Sequence, residues 1–259
     1  MTKRIDVLES GVQEIDALDP YAKYDVSEYK STLSMTPAAK YINHVNQSLQ
    51  AAFQNMSNCH PDLLNLVRNP GFSGISFRHL LNNLGQMKDI NYLEVGTFKG
   101  STFTSMLYNN INNFNSIYAI DNWSEFNEHG GVKDLFHNNI NTNFKSDVSK
   151  MKILDVNCFD FDKSEIKDKI NLYFFDGPHK REDHERAFTY YNDLLDETFI
   201  TIVDDWEKGS VRQGTYDAFE KLNYNVLAKW EILPPDRENR MRKPDQYWWH
   251  GTMLAVIQK

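Results

Sequence analysis

The stretch Tyr92-Leu93-Glu94-Val95-Gly96-Thr97-Phe98-Lys99-Gly100-Ser101-Thr102 decides how the chain is read. Tyr92–Val95 has the composition of a buried strand and carries an acid, Glu94, near its end. A glycine turn follows, and Ser101-Thr102 then opens a helix with hydroxyls at positions suited to capping. Glycine is needed where backbone turns tightly or approaches a ligand, so Gly96 and Gly100 suit either a plain turn or a binding loop. A dinucleotide fingerprint requires a middle glycine that lets the backbone approach a pyrophosphate. Phe98 stands at that position, which argues for a ligand without a pyrophosphate.

Working outward, short apolar runs alternate with helical periodicity from Ile90 onward. Strands are expected at 92–95, 116–120, 152–155, 171–175, 199–203, 225–232 and 252–257, with helical segments at 101–110 and 184–195. Strands separated by helices pair in parallel through right-handed crossovers. The last two lack an intervening helix and suit an antiparallel hairpin joined by the loop 233–251. The expected fold is therefore α/β, a Rossmann-like, seven-stranded, mostly parallel sheet with an antiparallel last strand. Residues 1–88 differ: they are polar, with apolar positions at helical spacing over 38–56 and 77–84. They read as a mostly helical amino-terminal cap, and residues 89–259 as the main domain. Thr36-Pro37 suits a helix start, and Asn69-Pro70-Gly71 a turn.

The 259 residues carry a net charge of −8, with a pI of about 5.5. An acidic surface repels phosphate-rich partners, so neither nucleic acid nor a membrane surface is expected. Cys59 and Cys158 fit no zinc or CxxC spacing, and a reduced, cytoplasmic setting is the simplest reading. The first residues lack the apolar core of a secretory signal, and no run is long enough to span a bilayer.

In open α/β sheets, ligands sit at the carboxyl ends of the strands. Asp121 ends the second strand about twenty residues past the loop, where an acid can accept from both ribose hydroxyls or cap a turn. Asn122 and Trp123 follow; Trp123 suits either an adenosine contact or the core. Cys158 and Phe159, past the third strand, fall where adenine contacts arise. The fourth strand ends Asp176-Gly177-Pro178-His179 and the fifth ends Asp204-Asp205-Trp206. Three carboxylates then converge at one edge. Crowded acids repel and shift their pKa values, and a hard cation such as Mg²⁺ relieves that. His179 reads equally as a general base or as a structural histidine.

Glu94–Thr102, Asp121, the Asp176-Gly177-x-His179 motif and Val203-Asp204-Asp205-Trp206 resemble class I S-adenosylmethionine (SAM) methyltransferases of the macrocin O-methyltransferase type, over roughly residues 90 to 210. The resemblance implies SAM as methyl donor, held by Glu94, Gly96, Thr97, Gly100, Ser101, Thr102, Asp121, Asn122, Trp123, Cys158, Phe159 and Asp176. It implies Mg²⁺ on Asp176, Asp204 and Asp205, and a small hydroxylated, sugar-type acceptor near Asp176 and His179. Metal-dependent members often carry a second acid where this chain has Pro178. The acceptor is expected under the cap, residues 124–143 and the loop 233–251, which holds Arg237, Arg240, Arg242, Lys243, Tyr247, Trp248 and Trp249. Self-association, where it occurs, is expected through the cap. An NAD-dependent oxidoreductase and a non-catalytic scaffold of the same fold are the rival readings.

Overall fold

Short apolar runs bounded by glycine or polar turns fold as strands, because they are too short to bury a helix face but match the strand period. The computed structural model describes residues 36–54, 71–145, 147–233 and 248–259. The order is α1 (Pro37–Phe53), α2 (Ile75–Leu84), β1 (Ile90–Val95), α3 (Ser101–Leu107), β2 (Phe114–Asp121), α4 (Val132–Phe144), β3 (Met151–Asp155), β4 (Ile170–Phe175), α5 (Arg181–Thr189), β5 (Leu195–Asp204), α6 (Gly209–Lys221), β6 (Asn225–Ile232) and β7 (Thr252–Gln258). The expected strands are all present, most of them a residue or more longer than expected. The helix expected over 184–195 begins earlier, at Arg181, and stops at Thr189, since Leu195 already belongs to β5.

The seven strands lie in the order β3-β2-β1-β4-β5-β7-β6. All pairs are parallel except those made by β7, which runs antiparallel to both β5 and β6. The chain winds outward from β1 to β3, then returns to place β4 on β1's other side. The switch in strand order therefore falls between β1 and β4, where a crevice opens at the carboxyl ends.

Side chains alternate across the sheet with period two. Tyr92, Leu172 and Phe174 face one apolar layer, and Leu93, Tyr173 and Phe175 the other. The first layer takes α1, α2, α3 and α4; the second takes α5 and α6. The amino-terminal helices thus cover a face of the sheet. Thr36 caps α1 by accepting from the Ala39 N–H at 3.2 Å. Asn46 of α1 accepts the indole N–H of Trp230 in β6 at 3.0 Å, and Phe53 packs on Trp248. Asn69 and Pro70 of the expected turn, and 234–247 with the four basic residues and Tyr247, lie outside the described residues.

The buried Asn46–Trp230 bond ties α1 to a strand on the far side of the sequence. Removing the acceptor leaves an indole N–H orphaned in the core, which costs about 1–3 kcal/mol. Asn46→Ala is expected to lower the free energy of unfolding by that amount in urea titration.

Candidate functional site

The glycine loop is shaped by close packing. Gly96 has φ +87°, and a Cβ there would sit 1.9 Å from the carbonyl oxygen of Asp176. Its N–H donates to the Ile120 carbonyl at 2.9 Å, while the Asp176 N–H donates to the Val95 carbonyl at 2.8 Å. The ends of β2, β1 and β4 are thereby locked together. Phe98 also takes a left-handed conformation, φ +47°. Its N–H donates to Asp121 Oδ2 at 2.7 Å, and its carbonyl accepts from Trp123 Nε1 at 2.8 Å.

Asp121 is half-buried beside the loop. Oδ1 accepts the Trp123 N–H at 2.7 Å, and Oδ2 accepts the Phe98 N–H and, at 3.5 Å, the Thr97 hydroxyl. The backbone thus fixes the carboxylate, and each oxygen retains lone-pair capacity.

Glu94 is fully buried. Its two oxygens accept from the hydroxyls of Thr102 at 2.6 Å and Tyr92 at 2.5 Å. It braces the strand against α3 and has no exposed surface from which to meet a ligand directly. Burial pushes its carboxyl up to about 8, against the opposing pull of the two hydroxyls. Ser101 and Thr102 do not cap α3 as expected. Gly100, at φ +81°, is the capping residue and offers no side chain; Thr102 is drawn to Glu94, and Ser101 Oγ lies 3.3 Å from Ser73 Oγ.

Asn122 is exposed and accepts from Ser124. The Trp123 ring is buried, 5.3 Å from Phe136, and belongs to the core. Past β3, Asn157 accepts the Phe159 N–H at 2.9 Å. The Phe159 ring packs on Phe175 and under the Arg186 guanidinium. Cys158 is a free, half-buried thiol, pushed up to about 12 by burial. Arg78 is buried and donates to Ser73 Oγ at 2.8 Å, and Phe77 packs on Phe174.

The acidic cluster forms, with a different membership. Donor atoms of Asp176, His179 and Asp205 lie within 4.8 Å of one another. Asp204 is buried nearby but outside that group, and the imidazole stands in its place. His179 Nε2 lies 2.5 Å from Asp205 Oδ2, and Lys208 Nζ lies 2.9 Å from the same oxygen. Lys208 went unread in the sequence, although its position three residues after Asp205, in the turn leading to α6, was the available signal. Burial, then the charges of Asp204, Asp205 and Glu94, push Asp176 well above the carboxylate range. Burial and then Asp205 do the same to Asp204. Asp205 is buried too, but His179 and Lys208 outweigh that and hold it down at about 2. The cluster thus sets one firm carboxylate, paired with two bases, beside two carboxyls pushed upward.

His184 was also unread. It is buried against Phe175, neither ring nitrogen has a hydrogen-bond partner among the described residues, and burial lowers it to about 3.

The family described as a methyltransferase domain matches residues 93–206. None of the curated protein sequences matches the chain. The SAH-bound methyltransferase PaMTH1 of Podospora anserina superposes with a TM-score of 0.53 at 12% identity, over 87% of this chain and 89% of that one. An O-methyltransferase from Bacillus cereus in complex with SAH gives a TM-score of 0.47 at 15% identity, over 87% and 94%.

Glu94 makes a testable contribution to stability. Its folded pKa lies above the unfolded value, so the folded state binds more protons between about pH 4.5 and 8. The stability this confers is full at the acid end and is lost as pH rises through 8. Glu94→Gln is expected to remove that part of the slope, at most about 1.4 kcal/mol per pH unit, in chemical denaturation from pH 5 to 8.5. Equal slopes in the two proteins would contradict the assignment. The match over 93–206 spans from β1 to Trp206 and so takes in both the loop and the acid–histidine cluster, which makes this stretch similar to a methyltransferase domain on the Rossmann-like methyltransferase fold.

Proposed function

We propose that the protein transfers the methyl group of SAM to a hydroxyl oxygen of a small-molecule acceptor. The observation that carries this is Asp121: an acid at the end of β2, held in place by the Phe98 and Trp123 N–H groups beside a loop with no middle glycine. A carboxylate so fixed is set to accept from ribose hydroxyls, and the loop backbone faces a ligand without a pyrophosphate. The methyltransferase-domain match over the same stretch supports the reading.

In this proposal the acceptor oxygen attacks the SAM methyl carbon in line. The new O–C bond forms as the C–S bond breaks, and the electron pair leaves with sulfur. Alignment of the two reactants supplies most of the acceleration. Asp205 accepts from His179 Nε2–H, which leaves Nδ1 as the nitrogen that takes the acceptor proton. Asp205 then steadies the imidazolium, and Lys208 keeps Asp205 ionised. Where a divalent cation takes part, Asp176, His179 and Asp205 would hold it, with His179 then a ligand instead of the base, and it would polarise the acceptor hydroxyl. An imidazole among the donors suits Zn²⁺ or Fe²⁺ better than the Mg²⁺ that an all-carboxylate set favours.

Titration calorimetry with SAM and SAH tests the reading. Wild type is expected to bind both, and Asp121→Asn to weaken both by roughly tenfold or more, a loss of about 1.4 kcal/mol. Thermal melting of the variant shows whether the loop has stayed folded. Absence of SAM and SAH binding by wild type would sink the proposal.

A further inference from the structure

Aromatic side chains from four separate stretches of chain meet at the carboxyl edge of the sheet. Phe72 precedes α2, Phe98 sits in the glycine loop, Phe126 follows β2, and Trp249 leads into β7. Phe72 stacks on Phe98, with centroids 5.1 Å apart and planes 14° apart. Its ring also stacks with Trp249 at 6.0 Å and 23°. Phe126 meets Phe72 edge-on at 5.8 Å and Phe98 at 6.1 Å. Phe103, Phe136 and Phe174, by contrast, have no exposed surface. Here Phe72 and Phe126 are 52% and 57% exposed. Leaving that much ring in water forgoes about 25 cal/mol for each Å² that could be covered, so a grouped patch of this kind points to a partner.

Its position narrows the partner. Phe98 is the residue whose N–H holds Asp121. At the other end, Trp249 is followed by His250 and Gly251, whose carbonyls accept from Glu207 and Trp206, the residues directly after Asp205. The patch therefore adjoins the cofactor loop through Phe98 and, through the backbone after Trp249, the segment that follows Asp205. We infer that these rings form the acceptor platform, and that the acceptor is a flat aromatic compound whose hydroxyl is attached to the ring.

Two independent arguments favour this over a sugar or an aliphatic alcohol. Nearly parallel rings extend naturally to a further flat ring by offset stacking, and phenylalanine offers no groups to satisfy a sugar's hydroxyls. The proton also needs a taker. Asp205 is already paired with His179 and Lys208, so the His179 imidazole at this edge is the base on hand. A ring hydroxyl, with a pKa near 10 as in tyrosine, yields its proton to an imidazole far more readily than an aliphatic alcohol, which resembles water at about 15.7. The phenolic oxygen bonds to the SAM methyl carbon, the C–S pair stays on sulfur, and the proton goes to His179.

The inference rests on the methyl-transfer reading, and the test separates the two. Full-length protein saturated with SAH is titrated with 1-naphthol and, in parallel, with methyl glucoside, by calorimetry and tryptophan fluorescence. Naphthol is expected to bind and the glucoside not to bind over the same concentrations. Phe72→Ala and Phe126→Ala should each weaken naphthol by roughly tenfold, about 1.4 kcal/mol, with SAH affinity unchanged. Glucoside binding as tight as naphthol, no naphthol binding, or full naphthol affinity in both variants would overturn the platform while leaving SAH binding intact. Sedimentation in which the variants convert a dimer to a monomer would also overturn it, by giving the patch to a second copy. Failure of wild type to bind SAH would instead strike the underlying reading.

Discussion

The backbone at Gly96 presses against the carbonyl of Asp176 so closely that no side chain fits between them. This follows from the strand pairing: β1 and β4 stay in register to Val95 and Phe175, and the ladder continues one step further through the Asp176 N–H. The glycine is needed for the meeting of two strand ends before any ligand is considered. Its N–H then reaches Ile120, which brings in the end of β2 and, one residue on, Asp121. One small residue thus fixes the relative positions of the loop, the β2 acid and the acid at the end of β4. The rest of the pocket is built on that frame.

Charge sets the second constraint. Two carboxylates about 4 Å apart repel by roughly 4 kcal/mol at an effective dielectric constant of 20, so Asp176, Asp204 and Asp205 cannot all ionise cheaply. The chain resolves this unevenly. Asp205 is paired directly with Lys208 and the imidazole of His179; burial and neighbouring acids push the other two upward. Glu94 is treated the same way, deeper in the core.

Much of this was legible in the sequence. The strands were, because apolar runs of six or so residues between glycine and polar turns have few other fates. Asp121, Asp176 and Asp205 were, because residues at strand ends share one edge whatever the exact register. What escaped depended on contacts the one-dimensional pattern does not carry. Thr102 looked like a helix cap and is instead drawn to Glu94, eight residues back. Trp123 was open between ligand and core until Phe136 of α4 closed over it. Asp204 looked equivalent to Asp205, yet it is buried beside Asp176 outside the group, and His179 entered in its place. His184 gave no signal, since helical spacing cannot show that its face would be buried against Phe175.

Phe98 joins these threads. As sequence it was an absence, the glycine a dinucleotide loop would have. In the structure the backbone at that position still adopts the left-handed conformation that favours glycine, at a cost of about 1–3 kcal/mol for a side-chain-bearing residue. Bonds to Asp121 and from Trp123 hold it there. A residue kept at such cost where glycine would be easier must return something through its side chain, and the ring is what it contributes. That ring stacks against Phe72 at the carboxyl edge of the sheet. The side chain that departs from the dinucleotide fingerprint is thus the same one that joins the aromatic patch.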